Sequence, residues 1–522
     1  MKKEILALLV FMAALSGCYS DKGNYDYANL DPVKIELSET TFNRSVGAAL
    51  SVQPTITTNI AESDLTYEWQ VFASSTVSGE YASYKTFQTG KQLDYKCMLT
   101  TLMPTPGSYT LRLKVSQNST NRTFYSDDMT LSILGVTGLL VLHGDDTSSD
   151  IGVISAKVFA PGESDTEAFT KADFYSSANG GTKLQGKGLQ IIQSYPSTGS
   201  KSYPDRCFVM ARTDKECVLA NYGGLVKQGV WDDLFYGGLN QHKPEGYCLD
   251  ELANGYVIAF DGGDMFYRWQ NSSAVWVAPS VGKGTNYTQY SFAPYFMNGT
   301  SQSGIQAYAF DRNSRGFIAF TSVYSLTGTS KDKRIYPIEG TSTPFNPAHM
   351  NADLLFIGSG GTLNHDLAVM RNDDGTMFLA ELNPYQKKYS DVAVAKYDMS
   401  GMSDVSNAKF FAFGSKLVSS VVQSYINMCY YATSNSVYRY TCGQTTSNVL
   451  TMTDGTPCTF DGEITMMKTI AYNSKIVMLV GTYSGGTGTL YRCVLDELTG
   501  LVSEVSSYTG FGKIYDANIK AL

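Results

Sequence analysis

The sequence predicts an all-β chain: an immunoglobulin-type β-sandwich over residues 32–135, then a β-propeller of seven blades over 136–522. Three observations carry this expectation. First, 48 glycines and 15 prolines break the apolar runs into short pieces, and no long amphipathic helix is visible. Second, the hundred or so residues after a leader alternate apolar and polar side chains in runs of strand length. Third, a strand–turn–strand unit recurs from Gly138 onward at intervals near those of propeller blades.

The chain opens with Lys2 and Lys3, then an apolar stretch from Ile5 to Leu15. That stretch is too short to span a bilayer and has the length of a signal-peptide core. Leu15-Ser16-Gly17-Cys18 resembles a bacterial lipobox. The resemblance implies that residues 1–17 are removed and that Cys18 carries the lipid, so the membrane is reached through an anchor rather than a span. Residues 18–31 are polar and read as a tether.

Charged residues make up 17% of the chain and the net charge is −8, while tyrosine (36) and glycine are abundant. A nucleic-acid partner needs a basic face, which this composition does not offer. Nine cysteines leave eight once Cys18 is lipidated, and none lie in CxxC pairs. In MCYYATSNSVYRYTC (428–442) a two-residue turn at Asn435-Ser436 would set Cys429 opposite Cys442. That register predicts a disulfide between them in an exported protein.

Within 32–135 the strands read as VKIEL (33–37), ALSVQPTI (49–56), LTYEWQVF (65–72), GSYTLRLKVSQ (107–117) and MTLSIL (129–134). Trp69 stands where a sandwich of this type buries a tryptophan. Tyr-x-Trp followed by Gly-x-Tyr-x-Leu-x-Leu-x-Val is similar to a PKD domain, although QVFASSTVSGEY replaces the usual Asp-Phe-Gly-Asp-Gly. Together with DKGNYDY (21–27), the arrangement resembles the PKD-like lipoproteins of Bacteroidetes. That resemblance implies an outer-membrane, outward-facing lipoprotein working beside a SusC/SusD-type nutrient importer, and it implies no catalytic activity.

The repeating unit begins at residues 139, 207, 256, 308, 367, 428 and 477. The intervals leave room for four strands per unit. KIYDANIK (513–520) is expected to supply a strand to the first blade and so cover its edge.

The chemistry-bearing motifs are sparse. HExxH, GxSxG, GxxxxGK[ST] and GxGxxG-before-helix patterns are all missing. His143, His242, His349 and His365 read as solvated loop residues, and no metal or cofactor site is expected. The acidic stretches 145–150, 261–264 and 372–375 read as turns. Aromatics outside a strand period are the stronger signal: Trp231 and Tyr236 among glycines, then Trp276, Tyr287 and Tyr290 in a Gly/Ser/Asn-rich stretch. Such rings can stack on sugars or hold peptide side chains. The expected function is capture or presentation of an oligosaccharide or oligopeptide for the importer. The alternatives are a surface glycoside hydrolase or lyase with carboxylates at the propeller axis, and a purely structural importer subunit.

Overall fold

The computed structural model describes residues 33–46, 48–73, 83–98, 100, 102–103, 107–135, 137–159, 169–194, 208–235, 242–250, 256–269, 290–299, 305–320, 335–360, 365–386, 388–414, 428–472, 475–496 and 498–520. Two compact units emerge. One takes the described part of Met1–Phe42 with Ala49–Tyr95 and Ser108–Ser132; the other takes Asn43–Ala48, Lys96–Gly107 and Ile133–Leu522. The Cys18 anchor and the tether lie outside the described residues.

The first unit is built from strands β1 (Lys34–Glu36), β2 (Thr41–Ser45), β3 (Ala49–Val52), β4 (Thr55–Thr57), β5 (Leu65–Ala73), β6 (Ser83–Thr89), β7 (Leu93–Lys96), β8 (Gly107–Gln117), β9 (Arg122–Tyr125) and β10 (Met129–Leu134). Strand β5 lies between β6 and β8 in an antiparallel sheet. Strict alternation decides what is buried. Trp69 and Val71 of β5 and Leu111, Leu113 and Val115 of β8 are fully buried, while Glu68, Gln70 and Phe72 point to the other face.

The second unit contains seven successive sheets among the described residues. The first holds β11 (Gly138–Gly144), β12 (Ser148–Ser155), β13 (Phe169–Lys171) and β14 (Leu184–Gln185). The second holds β15 to β18 (Gly188–Ser194, Phe208–Thr213, Cys217–Asn221, Lys227–Val230), and the third β19 to β21 (Pro244–Asp250, Tyr256–Asp261, Asp264–Trp269). The fourth holds β22 to β25 (Phe292–Asn298, Ala307–Asp311, Gly316–Phe320, Ile335–Pro337) and the fifth β26 to β29 (Asp353–Ser359, Asp366–Arg371, Met377–Leu382, Ala393–Asp398). The sixth holds β30 to β33 (Phe410–Phe413, Met428–Ala432, Val437–Thr441, Asn448–Val449) and the seventh β34 to β37 (Glu463–Tyr472, Lys475–Ser484, Thr487–Leu495, Val502–Phe511). The last strand, β38 (Lys513–Lys520), returns to pair antiparallel with β11, as the sequence suggested for KIYDANIK.

With β38 counted in the first sheet, the leading strands touch in order: β38 with β15, then β19, β22, β26, β30 and β34, and β34 touches β38 again. Apolar cores fill the seams between neighbouring sheets. Met210 and Ala259 share one, Ile258 and Ala307 the next, and Val141 and Leu479 join the seventh sheet to the first.

Two polar devices hold the sheets in place. Strand β38 is locked at its start by His143, whose Nδ1 accepts the Gly512 amide at 2.9 Å and whose Nε2 lies 2.9 Å from the Ala172 carbonyl. His143 is buried in β11 rather than solvated, and its two nitrogens serve backbone groups of two segments, the Gly512 amide between β37 and β38 and the Ala172 carbonyl after β13. The second device recurs in three consecutive sheets. Asp214, Asp261 and Asp311, each ending a second strand or following it, accept the backbone N–H of Lys187, Lys243 and Ser291 at the start of the first strand. These carboxylates therefore do more than shape turns.

The cysteine register differs from expectation. The turn falls at Ser434-Asn435, with the Thr433 amide donating to the Ser436 carbonyl, so Cys429 faces Tyr440. Cys442 is then diagonal to Cys429, and diagonal Cα atoms about 7–8 Å apart exceed the span of a disulfide. Both thiols are free. A one-residue displacement of the turn moves the pairing by two and separates them.

Burial holds the His143 pKa below its ordinary value of 6.5, and its proton acceptor is already engaged by Gly512. The unfolded chain binds a proton below pH 6.5 while the folded one resists it, so stability is full above that pH and declines as pH falls below it. Replacing His143 with Ala is expected to cost about 1–3 kcal/mol at neutral pH, from two lost hydrogen bonds. Denaturant midpoints at pH 7.5 and 5.5 should show this cost shrinking in acid, and equal costs at both would refute the assignment.

Candidate functional site

A groove of about 420 Å³ lies beside β29, the outer strand of the fifth sheet, facing the turn that follows β32 of the sixth. One wall comes from the alternation of β29, in which Lys396 and Asp398 are exposed and Tyr397 is half-buried. Beyond the strand, Asp398 accepts the Ser400 amide at 2.9 Å and its hydroxyl at 2.6 Å, and these bonds hold the carboxyl below its ordinary pKa. Buried Met399 and Met402 pin this loop from beneath.

The opposite wall holds Tyr440, Gly443, Gln444 and Thr445. The Gly443 amide donates to the Tyr440 hydroxyl at 3.3 Å, and its φ of 89° suits glycine. Gln444 and Thr445 are exposed, so their polar groups face whatever fills the groove.

Behind the first wall is a buried relay. The Tyr397 hydroxyl donates to Glu381 Oε2 at 2.6 Å, and His365 Nδ1 lies 2.6 Å from Glu381 Oε1. Glu381 is 2% exposed, so both carboxylate oxygens need partners. His365 is accordingly not a solvated residue, because its ring is recruited by that carboxylate. The tyrosine ring is thereby fixed before any ligand arrives, which lowers the ordering cost of binding. Ionic anchoring is not the groove's strength: the Lys396 ammonium sits 4.0 Å over the Phe378 ring.

A second buried carboxylate, Asp366, accepts the Tyr308 hydroxyl at 2.6 Å and the Ser359 hydroxyl at 2.9 Å. Register sets Asp366 opposite Leu382 and Glu381 opposite Leu367, so the two acids project from opposite faces of the fifth sheet. They do not form the facing pair that glycoside hydrolysis needs. Among the described residues no group of three or more His, Cys, Asp and Glu side chains could hold a metal. The groove offers the rings of Tyr397 and Tyr440 and the polar groups of Gln444 and Thr445, beside the charged Lys396 and Asp398.

The aromatics singled out in the sequence do not line it. Trp231 is buried in the core between the second and third sheets, with its ring 5.6 Å from Phe235 and its Nε1 donating to Asp261 at 3.2 Å. The same Asp261 lies 2.8 Å from Nδ1 of His242, whose side chain is 2% exposed; His242 is interior rather than solvated. Tyr290 packs against a different core, 5.4 Å from Phe292. Both rings are needed to fill seams between sheets. His349 alone keeps the solvated character expected of it, 3.6 Å from Glu339. Tyr236, Trp276 and Tyr287 lie outside the described residues.

Comparison with known proteins adds one firm point. The PKD-like family model matches residues 18–187. The N-terminal third of the chain is similar to that family. The match extends beyond residue 135 to the end of the first sheet of the second unit. No curated protein matches. Among solved structures, a DUF4784 family protein from Bacteroides caccae is 9% identical, with 91% of this chain and 95% of that chain covered at a TM-score of 0.26. The WD40 domain of SCAP from fission yeast is 10% identical, covering 62% and 72% at 0.33. BBS1N, solved in complex with ARL6DN, is also 10% identical, covering 67% and 90% at 0.36.

Replacing Tyr397 with Phe removes a donor from a carboxylate that cannot reach water. A loss of about 1–3 kcal/mol in unfolding free energy is expected, whereas Lys396→Ala on the exposed side should change it by less than about 0.5 kcal/mol. Urea titration of the two variants checks the contrast.

Proposed function

We propose that this chain is a non-catalytic, outer-membrane lipoprotein, anchored through Cys18, that captures or presents an oligosaccharide or oligopeptide for a SusC/SusD-type importer. In this reading the second unit is a seven-bladed β-propeller. The cycle of leading strands from β38 through β34 supports the blade count. The lipobox at Leu15–Cys18 and a PKD-like match that starts at residue 18 support the anchor and its setting.

The observation that carries the binding role is the groove beside Tyr397: an aromatic wall held rigid from behind, faced by neutral polar groups. Five inward carboxylates favour binding over hydrolysis, since Asp150, Asp261, Asp311, Asp366 and Glu381 each accept hydrogen bonds within the fold. Loops on a rigid β scaffold are a common place for recognition.

Two measurements test this. Cys18→Ser should move the protein from the membrane to the soluble fraction and abolish acylation; continued membrane retention without acylation would refute the anchor. Isothermal titration with panels of neutral oligosaccharides and of short peptides should find a ligand. The double variant Gln444→Ala, Thr445→Ala should bind it about tenfold more weakly, or about 1.4 kcal/mol. Unaltered affinity would remove the groove from the proposal.

A further inference from the structure

The first unit carries an exposed aromatic row that the capture role does not use. On the face of the β5 sheet opposite its core, Phe72 stands directly across from Tyr84, and Gln70 directly across from Arg112. Lys114 faces Glu68 on one side and Tyr125 on the other. The guanidinium of Arg112 lies 3.5 Å from the Tyr84 ring centroid and 4.1 Å from that of Tyr125, and the Phe72 and Tyr84 rings meet edge to face at 5.2 Å. Phe72 is 43% exposed and Tyr125 47%. The row crosses β6, β5, β8 and β9, about three strand spacings or roughly 14 Å.

Each ring in this row is held in place. Arg112 Nε donates to Gln70 Oε1 at 3.0 Å, and the Tyr84 hydroxyl donates to Asp128 at 2.7 Å. A guanidinium clamped between two rings gains from cation–π attraction and fixes both of them. A contiguous exposed apolar patch rimmed by polar residues is the kind of surface that marks a contact site.

The chemistry of the row selects among occupants. Lys114 pairs with Glu68 at 2.6 Å, and the positive charges of Arg112 and Lys114 are matched in number by Glu68 and Asp128, the latter accepting the Tyr84 hydroxyl, so the row carries no net charge. A neutral face has no complement in nucleic acid or in a strongly charged polymer. A stable protein interface needs about 800 Å² per partner with charges cleared from its centre. Here the line of rings holds the Arg112 guanidinium at its middle and the Lys114–Glu68 ion pair beside it, so its centre is not cleared of charge. A linear neutral oligosaccharide matches both properties: its C–H faces lie on the rings, and its hydroxyls reach Glu68, Lys114 and Asp128.

We propose that the row Phe72–Tyr84–Arg112–Tyr125 is a binding platform for a neutral polysaccharide chain, separate from the groove of the second unit. Affinity electrophoresis of the whole mature chain in gels containing xyloglucan, galactomannan, mixed-linkage β-glucan or pullulan tests it, with polygalacturonate as a charged control. At least one neutral polymer should retard the protein more than polygalacturonate does. Tyr125→Ala and Phe72→Ser should each weaken that retention by about tenfold with unchanged melting temperature, while Tyr125→Phe keeps it. Absence of retention by any neutral polymer overturns the platform and leaves peptide capture by the groove standing. Retention that survives both variants but is lost in Gln444→Ala, Thr445→Ala also overturns it and assigns the sugar to the groove.

Discussion

The pairing of β38 with β11 is the constraint on which the second unit depends. It joins Lys513–Lys520 to Gly138–Gly144, the two ends of a succession of seven sheets, and covers the edge that β11 would otherwise present. Bringing the two strands together costs loop-closure entropy, but that cost grows only slowly with length. A ladder of seven register pairs and the apolar seam of Val141, Leu479 and Ile514 oppose it. His143 sits where the register of this pairing shifts, opposite Ile514, and its Nδ1 accepts the amide of Gly512 just before β38.

The same economy of polar groups runs through the unit. Half-buried carboxylates tie one sheet segment to another: Asp261 joins Lys243, Trp231 and His242, and Asp516 accepts the Ile191 amide while pairing with Lys468 across leading strands. A carboxylate held by two or three donors is well placed to set geometry and poorly placed to move protons. Acidic residues that look like chemistry in a linear sequence are here mostly joints. Aromatic rings remain available in the groove beside Tyr397 and on the open face of the first unit.

Much of the fold was legible from the chain alone. The runs 107–117 and 129–134 coincide with β8 and β10, Trp69 is core, and each of the seven recurring units contributes a hairpin. Period-two alternation and turn residues are local signals, and short strands obey them. The site was legible only in part. Trp231 and Tyr290 were conspicuous because they lie outside a strand period, yet packing between sheets consumes such rings first. Tyr397 went unmarked because its value comes from Glu381, sixteen residues away and brought near by the β28–β29 register. The cysteine pair failed for the same reason, since a turn displaced by one residue is invisible to composition but moves every partner by two.

By itself the sequence determined the strand character and the recurring hairpin unit, because each follows from residues close together in the chain. The tertiary structure alone decided which histidines are buried, which acids face one another, and which aromatics stay open to solvent. Those outcomes depend on register and on sheet-to-sheet packing, where a side chain's neighbours come from positions tens or hundreds of residues away. His143 and Gly512 are the plainest case: nothing near either residue announces the other, and the fold places them 2.9 Å apart.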